Sequence, residues 1–129
     1  MAKWYGAAAI CIDDEKNLLM VLQGKPEEEK KWSVPSGGKE GTETFEECCR
    51  REVLEETGYD VRVVEKLHTK KNEWAEVHYF LVKVIGGTPT TSNDPDGLIY
   101  DVAWKSLNDI DALVLSFPED RSYFDLYVI

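Results

Sequence analysis

Residues 37–59 read GGKEGTETFEECCRREVLEETGY, and the interpretation of the whole chain turns on this stretch. Pro35-Ser36 precede it, so Gly37 and Gly38 continue a turn-forming run in which positive φ and close backbone approach are available. Thr44 and Glu47 form a Thr-x-x-Glu capping box, and Gly58 is placed to end a helix as a left-handed C′ residue. The pattern predicts a helix over 45–57. At about 100° per residue, Glu52, Glu55 and Glu56 share one side of that helix with Phe45, Cys48 and Cys49, so the carboxylates are off the fully solvated face.

Those carboxylates also crowd a helix C-terminus. That end carries partial negative charge, and like charges at i,i+3 and i,i+4 repel by roughly 0.2–0.5 kcal/mol per pair. The arrangement therefore demands positive charge. Three convergent carboxylates beside a glycine turn with free carbonyls suit hard, oxygen-seeking cations such as Mg²⁺ or Mn²⁺. The competing interpretation is a glutamate-rich surface helix braced by Glu47–Arg51 and Arg51–Glu55 pairs at i,i+4.

The stretch resembles the signature of the Nudix hydrolases, Gly-x5-Glu-x7-Arg-Glu-U-x-Glu-Glu-x-Gly-U, where U is a bulky apolar residue. Gly37, Glu43, Arg51, Glu52, Val53, Glu55, Glu56 and Gly58 fill the fixed positions and the first apolar one. Tyr59 takes the last slot, where an aliphatic residue is more usual. Trp32-Ser33-Val34-Pro35, His78-Tyr79-Phe80 and Val102-Ala103-Trp104 carry the likeness beyond the box. The resemblance implies an α/β/α sandwich with a mixed β-sheet between helices. It also implies a Mg²⁺-dependent pyrophosphohydrolase acting on a nucleoside diphosphate linked to another moiety.

The same resemblance implies roles for individual residues. Glu52, Glu55 and Glu56 would bind metal, with the Gly37 carbonyl as a further ligand, and one glutamate would deprotonate the attacking water. Which one is open, because closely spaced carboxylates titrate as a set. Arg51 completes the catalytic group as a permanently charged fork that orients carboxylates, braced by Glu43. An acidic ligand from a late loop is common in the family. Asp94 and Asp96 are the candidates, with a role as ordinary turn residues in Asn-Asp-Pro-Asp-Gly as the alternative. Lys39 is either a phosphate contact or a solvated loop lysine. Tyr5 and Trp74 are the preferred aromatic residues for stacking a nucleobase, the alternative being packing.

The chain has 129 residues, the size of one domain, and the expectation is a single domain over 1–129. Its formal net charge of −10 disfavours an extended nucleic-acid backbone as partner, whereas a small nucleotide screened by metal ions remains compatible. The sequence has no apolar run long enough to cross a membrane and no signal-peptide pattern at Met1-Ala2-Lys3-Trp4, so a cytoplasmic location is expected. Cys11, Cys48 and Cys49 form no disulfide or zinc pattern and are expected as core thiols. His68 and His78 lack a third clustered ligand for zinc.

Strands are expected over 4–12, 18–23, 32–34, 61–69, 75–85 and 99–104, the first two joined as a hairpin by residues 13–17. A short helix is expected over 107–113. A second capping box at Ser116–Glu119 is expected to start a last helix in which Glu119 and Asp120 are favourable first-turn charges. Substrates left open by the sequence are nucleoside triphosphates, ADP-ribose-type sugar nucleotides and dinucleoside polyphosphates. A non-catalytic nucleotide-sensing module and an isoprenoid diphosphate isomerase are the competing functions, and the oligomeric state, monomer or homodimer, is open.

Overall fold

A computed structural model describes residues 3–128; Met1, Ala2 and Ile129, the ends of the expected domain, lie outside the described residues. Strand β1 (Trp4–Cys11) is followed by β2 (Leu18–Gln23), β3 (Lys31–Ser33) and β4 (Ser36–Gly38). Helix α1 (Phe45–Thr57) comes next, then the long pair β5 (Tyr59–Lys71) and β6 (Ala75–Gly87). Strand β7 (Ile99–Lys105), helix α2 (Leu107–Ile110), a 3₁₀ turn (Pro118–Asp120) and helix α3 (Arg121–Tyr127) complete the chain.

The strands form a mixed four-stranded sheet in the order β4-β1-β6-β5 and a three-stranded antiparallel sheet in the order β3-β2-β7. In the mixed sheet β1 runs parallel to β6, pairing Ala8 with Tyr79, and antiparallel to β4, pairing Ala7 with Gly37. Alternation along β1 divides the core. Ala7, Ala9 and Cys11 pack with Cys48, Cys49 and Val53 of α1, while Ala8 and Ile10 pack with Ile110 of α2 and Phe124 of α3. The mixed sheet is thus covered by α1 on one face and by α2 and α3 on the other, as the expected sandwich requires. Alanines on β1 let α1 approach closely, which brings its carboxylates against strand β4.

Four local expectations are corrected. The 13–17 turn forms, with the Asp13 amide donating to the Asn17 carbonyl, but β1 and β2 diverge into different sheets after a single Ile12–Leu18 bridge. Gly37 and Gly38 are not a positive-φ turn: they are extended in β4, and their lack of a side chain serves clearance instead. The β5 and β6 strands run past their apolar residues to pairs such as Lys71–Glu76, which places Lys70 on a strand. The Ser116–Glu119 capping box does not form. The Ser116 amide donates to Trp32, Phe117 precedes a 3₁₀ turn without side-chain capping, and α3 starts only at Arg121.

Candidate active site

Helix α1 forms as its sequence predicts, with the same limits. The Thr44 hydroxyl accepts from the Glu47 amide at 3.1 Å, and the Glu47 carboxylate accepts from the Thr44 amide at 2.7 Å. Gly58 closes the helix at φ +81°, where an added Cβ would strike the Thr88 carbonyl. No basic residue lies in the last turn, so its negative end faces Glu55 and Glu56 uncompensated from within the helix.

Arg51 organises the carboxylates. Its guanidinium grips Glu43 through two bonds of 3.0 and 2.7 Å, donates to the Gly38 carbonyl at 2.8 Å, and reaches Glu52 at 3.3 Å and Glu55 at 3.2 Å. The grip on Glu43 holds that carboxyl down to about 2, while the surrounding carboxylates raise the arginine further. Glu52 behaves oppositely. Burial pushes it up to about 7, the adjacent Arg51 opposes that shift, and the charge of Glu55 adds to it. Glu56, only 8% exposed, is raised well above the ordinary carboxylate range by burial and by Glu52, against the hydrogen bond it accepts from the Ser36 amide at 3.0 Å. Two carboxyl groups, Glu56 buried and Glu52 half-buried, therefore resist ionisation until more positive charge arrives.

Gly37 is required by Glu52. A Cβ at Gly37 would overlap the Glu52 carboxylate, so only glycine lets that side chain lie against the strand. Its carbonyl, expected as a metal ligand, accepts from the Cys48 thiol at 3.6 Å and lies close to Gly6 of β1. Among the described residues no three acidic, histidine or cysteine side chains already converge to cage an ion, and Arg51 spans Glu52 and Glu55. The donor set nonetheless fits a hard divalent cation: it is all oxygen, excess in negative charge, and set against the half-buried backbone of β4.

These residues line a cavity of about 570 Å³ that also takes in Lys39, Gln23, Asp94 and Asp96. Asp94 is engaged in its loop, accepting from the amides of Asp96, Leu98 and Ile99, which is the turn role. Asp96 stands in the wall of the same cavity. Lys39 lines this cavity and a second one of about 500 Å³, where Tyr5 also sits with Trp4 and Phe45. Trp74, the other aromatic candidate, lines neither. It is 62% exposed in the β5–β6 connection, and its carbonyl accepts from the Trp4 amide.

A third cavity, about 340 Å³ and mostly apolar, shares Ser36 as a lining residue with the carboxylate cavity. Trp4, Tyr79 and Phe117 wall it, together with Lys70 and Glu119. Here the expectation that Glu119 and Asp120 serve as first-turn charges of the last helix is corrected, most plainly for Asp120. It is 2% exposed, accepts from the Tyr79 hydroxyl at 2.8 Å and from the Lys70 ammonium at 2.9 Å, and this bond is what pulls the start of α3 inward. Lys70 also donates to Glu119 at 3.1 Å. His68 is stacked between Tyr79 and Tyr123, with Nδ1 3.0 Å from the Tyr127 hydroxyl, and burial lowers its pKa. Sequence reasoning missed Ser36, Lys70 and Phe117. The one local signal was Phe117-Pro118-Glu119-Asp120, whose acids precede a helix too short to need them.

The sequence model of the NUDIX domain matches residues 3–127. The 8-oxo-dGDP phosphatase NUDT18 of Mus musculus is 30% identical over 101 residues, covering 78% of this chain and 31% of that protein. The chain thus spans about a third of the length of the curated relatives it matches first. Among solved structures, a NUDIX hydrolase from Nitrosomonas europaea superposes with a TM-score of 0.85 at 22% identity, over 98% of this chain and 88% of that one. A MutT NUDIX hydrolase from Burkholderia pseudomallei gives 0.81 at 20% identity, over 98% and 99%. At these identities the structural likeness speaks for the fold.

Proposed function

Because this chain belongs to the Nudix hydrolase family, we propose that it is a divalent-metal-dependent pyrophosphohydrolase cutting a phosphoanhydride bond in a small nucleotide, foremost a nucleoside triphosphate. The observation that carries this reading is the group Glu52, Glu55 and Glu56, two of them reluctant to ionise, gathered against β4 in one cavity.

Glu52, Glu55 and Glu56 would hold Mg²⁺ or Mn²⁺, with Asp96 as the acidic residue contributed from the late loop. A bound ion supplies neutralisation of phosphate oxygens and a more acidic water. Arg51, locked by Glu43 and Gly38, keeps Glu52 and Glu55 in register, and that bracing is typically worth tenfold to a hundredfold in activity. One glutamate of the set accepts a proton of the attacking water. The water oxygen bonds to phosphorus, the bridging P–O bond breaks, and the bridging oxygen leaves with the departing phosphate group. Lys39 would contact the phosphate chain.

The cavity at Ser36 suits the base. Its apolar walls accept a flat ring, while Lys70 offers a donor and Glu119 an acceptor, a pairing that matches the neighbouring carbonyl and N–H groups of a guanine edge. The name of the mouse relative points to the same base. A small nucleotide rather than extended nucleic acid agrees with the charge of −10. No helix among the described residues is long and apolar enough to cross a membrane, and a cytoplasmic location is part of the proposal.

The test is phosphate or pyrophosphate release from a nucleotide panel with and without Mg²⁺, comparing wild type with Glu55→Gln and Glu56→Gln. A loss of about a thousandfold, several kcal/mol in the barrier, is expected. Equal turnover in the variants removes the proposed roles.

A further inference from the structure

Between β2 and β3 the chain runs Gly24-Lys25-Pro26-Glu27-Glu28-Glu29-Lys30, whose three consecutive glutamates repel one another and by themselves would hold the segment open. The fold closes it around a cation of its own. The Lys30 ammonium donates to the carbonyls of Lys25 and Glu28, both at 2.7 Å, and to that of Pro26 at 3.4 Å. It also lies 4.9 Å from the centre of the Tyr100 ring on β7. Three carbonyl oxygens and a π face are the surroundings of a bound monovalent cation rather than those of a surface ion pair. The rest of the loop is folded on this centre. The Glu28 amide donates to the Lys25 carbonyl at 3.0 Å, and the Lys25 amide to the Glu28 carboxylate at 2.9 Å. The stem of Lys30 passes over Gly24, where an added Cβ would stand 3.1 Å from Cδ of the lysine. The two ends of the segment are thus in contact, and its last residue fills the middle.

What this loop touches gives it a bearing on the site. Lys25, Glu28 and Glu29 line a cavity of about 610 Å³ together with Gln23, Leu98 and Phe117. Gln23 and Leu98 also line the carboxylate cavity, and Phe117 also lines the cavity assigned to the base. Leu98 is gripped from both sides: its carbonyl accepts from the Gly24 amide at 3.2 Å, and its amide donates to the Asp94 carboxylate. Asp94 in turn accepts from the amide of Asp96, the acidic residue proposed for the metal, at 3.2 Å. An unbroken run of contacts therefore leads from the Lys30 ammonium, through Gly24 and Leu98, to the late loop at the carboxylate cavity.

Resting on the hydrolase reading above, we propose that Lys30 is a positioning residue: a tethered cation that fixes the 24–30 loop and, through Gly24 and Leu98, holds the late loop in the form that receives the nucleotide. Without charge at position 30, the carbonyls of Lys25, Pro26 and Glu28 turn to water, the three glutamates move apart, and fewer molecules are ready to bind. Apparent affinity falls in proportion to the ready fraction. The carboxylates of α1 lie on another element and keep their geometry, so the chemical step in the bound state is unchanged.

The experiment compares wild type with Lys30→Ala and with Lys30→Met, which keeps an apolar stem against Gly24 but no charge. It reads the rate of cutting at Glu27–Glu29 by a glutamate-specific protease, the equilibrium binding of GTP with Ca²⁺, and KM and kcat for GTP with Mg²⁺. Both variants are expected to be cut on the order of tenfold faster and to bind GTP on the order of tenfold more weakly, with that factor in KM and kcat kept within about twofold. Propylammonium, the missing end of the lysine as a free cation, should return Lys30→Ala toward wild type by every measure. It should leave Lys30→Met, whose stem fills the space, unchanged. Cutting as slow as in wild type, unchanged affinity for GTP, a loss in kcat in place of KM, or a Lys30→Ala protein indifferent to propylammonium overturns the proposal. A wild type that binds GTP and releases neither phosphate nor pyrophosphate counts against the hydrolase reading alone, because cutting and binding still report on Lys30.

Discussion

Two places in this molecule set one half-buried basic side chain among acids, and they solve the charge problem differently. Around Lys70, the ammonium meets the Asp120 carboxylate at 2.9 Å and Glu119 at 3.1 Å, Tyr79 supplies a hydroxyl, and each polar group has a partner. Around Arg51, a single guanidinium serves Glu43, Glu52 and Glu55, while Glu56 has only the Ser36 amide, and burial holds Glu52 and Glu56 above their ordinary range. The first is a completed structural ion pair. The second is short of positive charge by design, which is the electrostatic profile of a place that receives a cation. A buried charge cluster is thus informative through its balance, not through its presence.

The sharpest way to break this contrast is to remove each basic partner's task. Lys70→Met leaves Asp120 buried without its cation and is expected to cost about 3–5 kcal/mol in urea unfolding, with no rescue by Mg²⁺. A cost under about 1 kcal/mol would mean that the Lys70 pair is not the completed one. Conversely, Mg²⁺ at a hundred times its dissociation constant should stabilise wild type by about 2.7 kcal/mol in thermal melts. Gly37→Ala, which displaces the Glu52 carboxylate, should abolish that gain.

Acid–base behaviour sharpens the contrast further. Glu52 has a raised folded pKa, so without metal its favourable contribution is present below its unfolded value of about 4.5 and is lost as pH climbs through about 7. Glu43 is depressed, so its contribution is present above about 4.5 and is lost as pH falls toward about 2. Melting temperatures in chelator should therefore decline between pH 5 and 7, and Glu52→Gln should flatten that decline. The smallest effects concern the two helices entering these regions. Thr44→Ala removes a formed cap and should cost about 1 kcal/mol. Ser116→Ala, at the box that does not form, should stay within about 0.5 kcal/mol.

That last pair shows why parts of the molecule were legible in sequence and others were not. The limits of α1 follow from Thr44, Glu47 and Gly58, which act within one turn of the ends they set. Glu52, Glu55 and Glu56 share a side because helical periodicity is local, and Arg51 meets Glu55 one turn away for the same reason. By contrast, Asp120 is drawn inward by Lys70, fifty positions distant, and that bond overrides the Ser116 cap. The requirement for Gly37 was read as a turn, whereas it arises from a carboxylate on another element. Whether β1 and β2 share a sheet depends on partners, β6 and β7, that a hairpin signal cannot name.

The adjacent sulfurs of α1 carry a practical consequence. Cys48 and Cys49 are buried, and desolvation pushes both thiols up to about 12, so they remain protonated and shielded while the helix lies on the sheet. An alkylating probe then reacts only in the intervals when that helix lifts. The pair is a native stopwatch: slower labelling on adding a nucleotide would time how firmly an occupant clamps the helix, with no reporter group introduced.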